Sequence, residues 1–220
     1  MTHKALPGII GLPALLVAVA VAFVPLPAKA GAQVEEQLSP SMVVGLAKSI
    51  ADTPLPTDYG NRPEVLPWVR EMSPRIAHKV PNELERRDLL ATVHYESMRA
   101  GLDPQLVLAV IYHESGFKKF AFSIATARGY MQVMPFWVTL IGTPDHNLFN
   151  LRTNLRYGTV ILRHYLDREN GDLYRALGRY NGSVGKPEYP VAVLAALNRH
   201  FTYGQVAKTA ANAAGTAIPR

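Results

Sequence analysis

Cysteine is absent from the 220 residues of the chain. That excludes disulfide staples and lipid attachment through a cysteine, so the core must hold by packing alone. A membrane-spanning run is missing as well. The longest apolar stretch, Ile9–Val24, is 16 residues long and is broken by Gly11 and Pro13, short of the roughly 20 residues that cross a bilayer. His3 and Lys4 precede it, and Ala28-Lys29-Ala30 follows with the small-x-small pattern of a signal-peptidase site. Residues 1–30 therefore read as a signal peptide, with an uncleaved anchor as the alternative. The implied mature protein is soluble and exported, with no membrane insertion after cleavage. Strong charge is lacking too. Removing Lys4 and Lys29 leaves 21 basic against 17 acidic residues, a net charge of +4. This mild excess suits an anionic polymer and gives no reason to invoke nucleic acid.

Other signals are missing in ways that narrow the chemistry. No alternating pattern is long enough for a sizeable sheet, no segment repeats, and no phosphate-cradling glycine loop precedes a helix. The seven histidines make no metal pattern. His113-Glu114 begins like a zinc-protease motif, but position 117 is Phe, so the second histidine is absent, and His94, His146 and His164 are scattered. No metal and no other cofactor is expected.

What the chain does contain is helix punctuation. A short helix is read at Ser41–Ala51, then a Pro-rich arm at 52–63, then one or two short helices between Pro63 and Lys79, limited by Pro67 and Pro74. Asn82 with Glu85 opens a helix that Gly101 stops. Asp103-Pro104 opens the next, which carries Leu106, Val107, Val110, Ile111 and Glu114. Residues 115–145 are irregular and hold any short strands. A long amphipathic helix covers 151–169, Asp172 caps a short one ending near Tyr180, and another fits Pro190–Phe201. The expected organisation is a signal peptide at 1–30, a helical and extended arm at 31–80, a mainly α domain with few short strands at 81–205, and a flexible Ala-rich tail at 206–220.

One residue in this pattern is out of place. Glu114 lies four residues after Val110 and three after Ile111, which puts a carboxyl on the apolar face of its helix. Desolvation and the negative end of the helix dipole both favour its protonated form. A carboxylic acid that keeps its proton near neutral pH can donate it to a leaving oxygen. A structural glutamate paired with Arg128, Lys118 or Lys119 fits the same local pattern.

The surrounding motifs separate the two. Glu114-Ser115 is followed by Ser123, by Gly129-Tyr130-Met131-Gln132 ahead of Pro135, and by Tyr180-Asn181. In that order and spacing, from about Leu84 to Phe201, the chain resembles the soluble lytic transglycosylase (SLT-domain) family of the lysozyme-like superfamily. The resemblance implies an α+β lysozyme-like fold of mainly helical character. It implies cleavage of the MurNAc-GlcNAc bond of peptidoglycan with 1,6-anhydro ends, and Glu114 as acid and then base. It makes Ser115, Ser123, Met131, Gln132, Tyr180 and Asn181 substrate-binding residues, with the Tyr180 hydroxyl turned toward the acid. Glycan strands are the expected partner and a monomer the expected state.

Ser115–Pro144 contains no Asp or Glu, which fits a single-acid mechanism better than the paired carboxylates of common glycosidases. Gly129 supplies a backbone freedom that a side chain would forbid, and Gln132 an amide suited to an acetamido group. Phe136, Trp137, Tyr130 and Tyr189 are candidates for sugar stacking or for core packing. Tyr130 stands where leucine is commoner in the family, and Gly178-Arg179 where small residues usually precede the Tyr-Asn pair. The rival readings are a goose-type-lysozyme-like hydrolase and a non-catalytic glycan-binding or scaffold domain.

Overall fold

The structure, a computed structural model, describes Met1 and residues 33–51 and 54–204. Met1 apart, the signal peptide read at 1–30 and the tail read at 206–220 lie outside the described residues. The described chain is mainly helical. It forms α1 (Pro40–Ile50), a 3-10 turn (Tyr59–Asn61), α2 (Leu66–Ile76), α3 (Glu83–Arg99), α4 (Pro104–Glu114), α5 (Phe136–Ile141), α6 (Leu151–Arg168), α7 (Leu173–Asn181) and α8 (Glu188–His200). Extended pairing among the described residues is confined to two isolated antiparallel bridges, Phe122 with Arg128 and Arg128 with Val133.

Local chemistry starts most of these helices. Asn82 accepts from the Glu85 amide at 3.0 Å, Asp103 from Gln105 at 2.8 Å, Asn150 from Thr153 at 3.2 Å and Asp172 from Arg175 at 3.0 Å. Each side chain satisfies an amide that the helix leaves without a partner. Pro74 does not end α2 as its sequence suggests; it sits inside the last turn, and Pro67 lies in the first, where no donor is needed. Helix α8 begins two residues before Pro190, and so takes in Tyr189.

Helix α4 is the centre of the molecule. Every residue from Leu106 to Ile111 is buried, so it is apolar all round, not merely on one face. It packs against α3 and α8, while α6 packs on α3 and α7, and α1 on α5 and α6. One continuous core runs from Leu46 and Ile50 of α1 and Trp68 and Met72 of α2 through α4 to Phe201. The two N-terminal helices thus contribute to the same core as the segment that carries Glu114. A buried ionic link ties α3 to α6: Glu96 takes Arg99 at 3.0 Å and Arg156 at 3.3 Å.

Candidate active site

Helix α4 ends just where its face becomes polar. The amides of Ser115 and Gly116 both turn back to the Ile111 carbonyl at 3.1 Å, and Gly116 adopts φ 57°. Phe117 follows at φ 67°, a conformation that disfavours a bulky side chain. Its ring is buried against Tyr112 and Phe201, at centroid distances of 6.5 and 6.3 Å, and that packing holds the turn. Glu114 is therefore fixed as the last helical residue, with 9% of its surface exposed.

Among the described residues its carboxyl meets a hydroxyl and no ion. Tyr189, at the start of α8, donates to Glu114 Oε1 at 2.5 Å. Burial pushes the Glu114 pKa from 4.5 up to about 8, and the Tyr189 hydrogen bond partly offsets this; no cation and no second carboxylate contributes. Arg128, Lys118 and Lys119 are thus not its partners. Lys119 acts instead on Asp88 and lies 5.4 Å from the Phe120 ring centre. The neighbouring His113 donates from Nε2 to the Ala192 carbonyl at 2.8 Å, which fastens α4 to α8 beside Tyr189. Burial lowers the His113 pKa, against the Ala192 hydrogen bond, and so favours the uncharged ring beside the acid.

The turn at 129–134 packs against the end of α4. Ser115 Oγ donates to the Tyr130 carbonyl at 2.7 Å and lies 3.3 Å from that of Ile111. Its proton is therefore directed at backbone and joins the end of α4 to the turn. Gly129, at φ 73°, has no room for a side chain: a Cβ would lie 2.5 Å from Asn154 Nδ2 and 2.6 Å from the Leu148 carbonyl. Asn154, fully buried on α6, organises the whole turn. It donates to the Arg128 and Leu148 carbonyls, both at 2.8 Å, and accepts from the Met131 amide at 2.8 Å. Gly158, one helical turn on, leaves the space that Met131 fills. Gly129→Ala is expected to lose about 2–4 kcal/mol from strain and displacement of Asn154, read as a lower urea midpoint with an unchanged slope.

The residues singled out in the sequence divide into two groups. Glu114, Ser115, Gln132, Tyr180 and Asn181 are all buried about this turn and the ends of α4 and α7. Gln132, at φ 46°, directs its side-chain amide inward to the Gly129 and Ala121 carbonyls at 2.9 and 3.2 Å. Its side-chain donor therefore supports the turn. Met131 has 0% exposure and is part of the floor, so its side chain does not line an open groove. Ser123 is set apart; its hydroxyl accepts from the Ala127 amide at 3.0 Å and closes a local turn. Tyr180 differs from the expectation. Its hydroxyl donates to the Met131 carbonyl at 2.8 Å, and the hydroxyl on the acid belongs to Tyr189. Tyr180 is still close enough for the Glu114 charge to raise its pKa, after burial. Of the other aromatics, Tyr130 and Trp137 are buried in the core.

Two hollows lie away from this site. One of about 680 Å³ is bounded by α1, α3 and α6, with Arg99, Arg163 and His164 in its wall. The other, of about 560 Å³, lies between α2 and α3. Neither includes Glu114. Among the described residues no cluster of three His, Asp or Glu side chains is placed to hold a metal ion. No described helix is long and apolar enough to cross a membrane.

Known proteins resemble this chain around the same segment. Residues 92–189 match the family model described as the transglycosylase SLT domain. Membrane-bound lytic murein transglycosylase C of Salmonella typhi and that of Salmonella typhimurium are each 29% identical over 159 residues. The matches cover 64% of this chain and 43% of those proteins, so the chain spans less than half of their length. A solved structure of lytic transglycosylase Slt from Pseudomonas aeruginosa, an inactive mutant, is similar at 18% identity and a TM-score of 0.41. That match covers 71% of this chain and 31% of the other. The segment that holds Glu114, the 129–134 turn and Tyr180 is thus the part of this chain that is similar to the transglycosylase SLT domain.

Proposed function

We propose that the protein is a peptidoglycan lytic transglycosylase, exported to the periplasm, in which Glu114 performs both proton transfers. The observation that carries this reading is a buried carboxyl, its pKa pushed up to about 8, with a tyrosine hydroxyl on one oxygen and no charged group among the described residues acting on it. At neutral pH it holds the proton that the glycosidic oxygen between MurNAc and GlcNAc needs in order to leave. As the C1–O4 bond breaks, that proton passes to the leaving oxygen and Glu114 becomes a carboxylate. Tyr189 steadies the new charge by donating to it. The C6 hydroxyl of the same MurNAc then forms the O6–C1 bond and returns its proton to Glu114. The products are a 1,6-anhydro end and a free GlcNAc end, no water is consumed, and the acid is regenerated.

Among the described residues no second carboxylate acts on Glu114, which supports the single-acid route over a hydrolytic pair. The comparison relatives that carry the words murein transglycosylase in their names support the substrate class. Digestion of purified sacculi followed by mass spectrometry of the released muropeptides is the test. Anhydro ends, lighter than reducing ends by one water, are the expected result. Reducing ends would make the protein a goose-type-lysozyme-like hydrolase. Sedimentation with sacculi without any cleavage would make it a binding or scaffold domain.

A further inference from the structure

The chain ahead of α1 lies against the wall of this site. Residues 33–39 form no helix or strand, and Val34 and Glu35 are exposed. Gln33 is the exception, with 3% of its surface exposed. A surface strap that inserts one polar side chain must satisfy that side chain on something inside. Gln33 Nε2 donates to the Gln132 carbonyl at 3.4 Å, and the Met134 amide donates to Gln33 Oε1 at 3.2 Å. The carboxamide thus takes up both polar groups of the peptide edge that leads out of the 129–134 turn. Three residues on, Glu36 is tethered to Arg168 at the end of α6, and to Arg179 of α7 at 3.4 Å. Arg179 directly precedes Tyr180. The Tyr180 hydroxyl registers both the Glu114 charge and the Gln33 carboxamide, so strap and acid both lie near one phenol.

We propose that the Gln33–Gln37 strap is an intramolecular competitor of the glycan, its Gln33 carboxamide covering the Gln132 carbonyl and Met134 amide until a sugar strand displaces it. This rests on the function proposed above. Amino-sugar strands carry acetamido N–H donors together with carbonyl and hydroxyl acceptors, the same complement that Gln33 offers to this edge. The hold is weak enough to be reversed. Its two hydrogen bonds are long, and the Glu36 tether is partly exposed, so solvent screens it. A closed fraction that excludes substrate raises the apparent KM by the inverse of the open fraction and leaves kcat unchanged.

Kinetics on soluble glycan strands with the full chain and with Gln33→Ala and Glu36→Gln test the strap. Both variants are expected to lower KM by about fivefold at constant kcat, and Gln33→Ala to speed hydrogen exchange at the Met134 amide. An unchanged KM in both variants overturns the proposal. A raised KM in Gln33→Ala overturns it also, because Gln33 would then be part of the wall that binds the strand. If the chain turns over no peptidoglycan, the function proposed above fails. The strap is then decided by strand binding to Glu114→Gln with and without Gln33→Ala. Tighter binding in the double variant upholds the strap, and equal or absent binding removes it.

Discussion

Glu114→Gln is expected to lower peptidoglycan turnover by about 10³- to 10⁴-fold, with the fold and the unfolding curve at pH 5 nearly unchanged. The size follows from the double duty of the group: leaving-group protonation and C6 hydroxyl deprotonation both pass through one carboxyl. Glutamine has nearly the same shape but no transferable proton. Stability is spared because at pH 5 the native group is neutral, with its pKa near 8. Glutamine keeps a carbonyl oxygen to accept from Tyr189 and removes no buried volume. Activity within about tenfold of the wild type would move the acid role to another residue. A collapse of stability at pH 5 would mean that Glu114 is a structural acid after all. Anhydro-end formation measured by mass spectrometry, paired with urea unfolding of the same sample, separates these outcomes.

The helices were legible because their starts are local events. Asn82, Asp103 and Asp172 cap in the structure as their spacing indicates, through amides two or three residues away. Helix α5 was not legible. It is six residues long, begins after Pro135 with no side-chain cap, and exists because Trp137 and Ile141 are buried. The same distinction runs through the site. Glu114 stood out because Val110 and Ile111 lie one turn before it on the same helix. Its hydroxyl partner did not, because Tyr189 is 75 residues further along, and the choice between Tyr180 and Tyr189 is made by how α7 and α8 pack. Asn154 left a faint sign, a polar amide one turn before Gly158 on a helix face that is otherwise buried. Gln33 left none; its contacts span 99 and 101 residues and arise only when the strap meets the turn. For Gln132, sequence reasoning placed an acetamide complement on the side chain. The structure turns that side chain onto the Gly129 and Ala121 carbonyls and leaves the Gln132 carbonyl and the Met134 amide to Gln33.

The strongest pH signature should come from the same carboxyl. Between pH 4.5 and about 8 the folded chain keeps a proton on Glu114 that the unfolded chain releases. The folded state then binds more protons than the unfolded one, so stability falls as pH rises through this window and is level on either side. A shift of this size corresponds to a loss on the order of 4 kcal/mol. Carboxylates such as Glu169, held below the usual range by Arg175 and Arg179, act in the opposite sense, losing stability as pH falls. The measurement is therefore the difference between wild type and Glu114→Gln in urea at pH 5 and pH 8.5. The variant should gain on the wild type by nearly the whole amount, and a constant difference would show that the group is solvated or paired with a cation. The rate carries the same titration, with kcat/KM falling about tenfold per pH unit above pH 8 as the donor proton is lost. Tyr189→Phe fixes the cause. The Tyr189 hydroxyl draws the Glu114 pKa down against burial, so its removal should move the stability transition and the alkaline limb upward together. A downward move would mean that a cation, not a dry pocket, governs the acid.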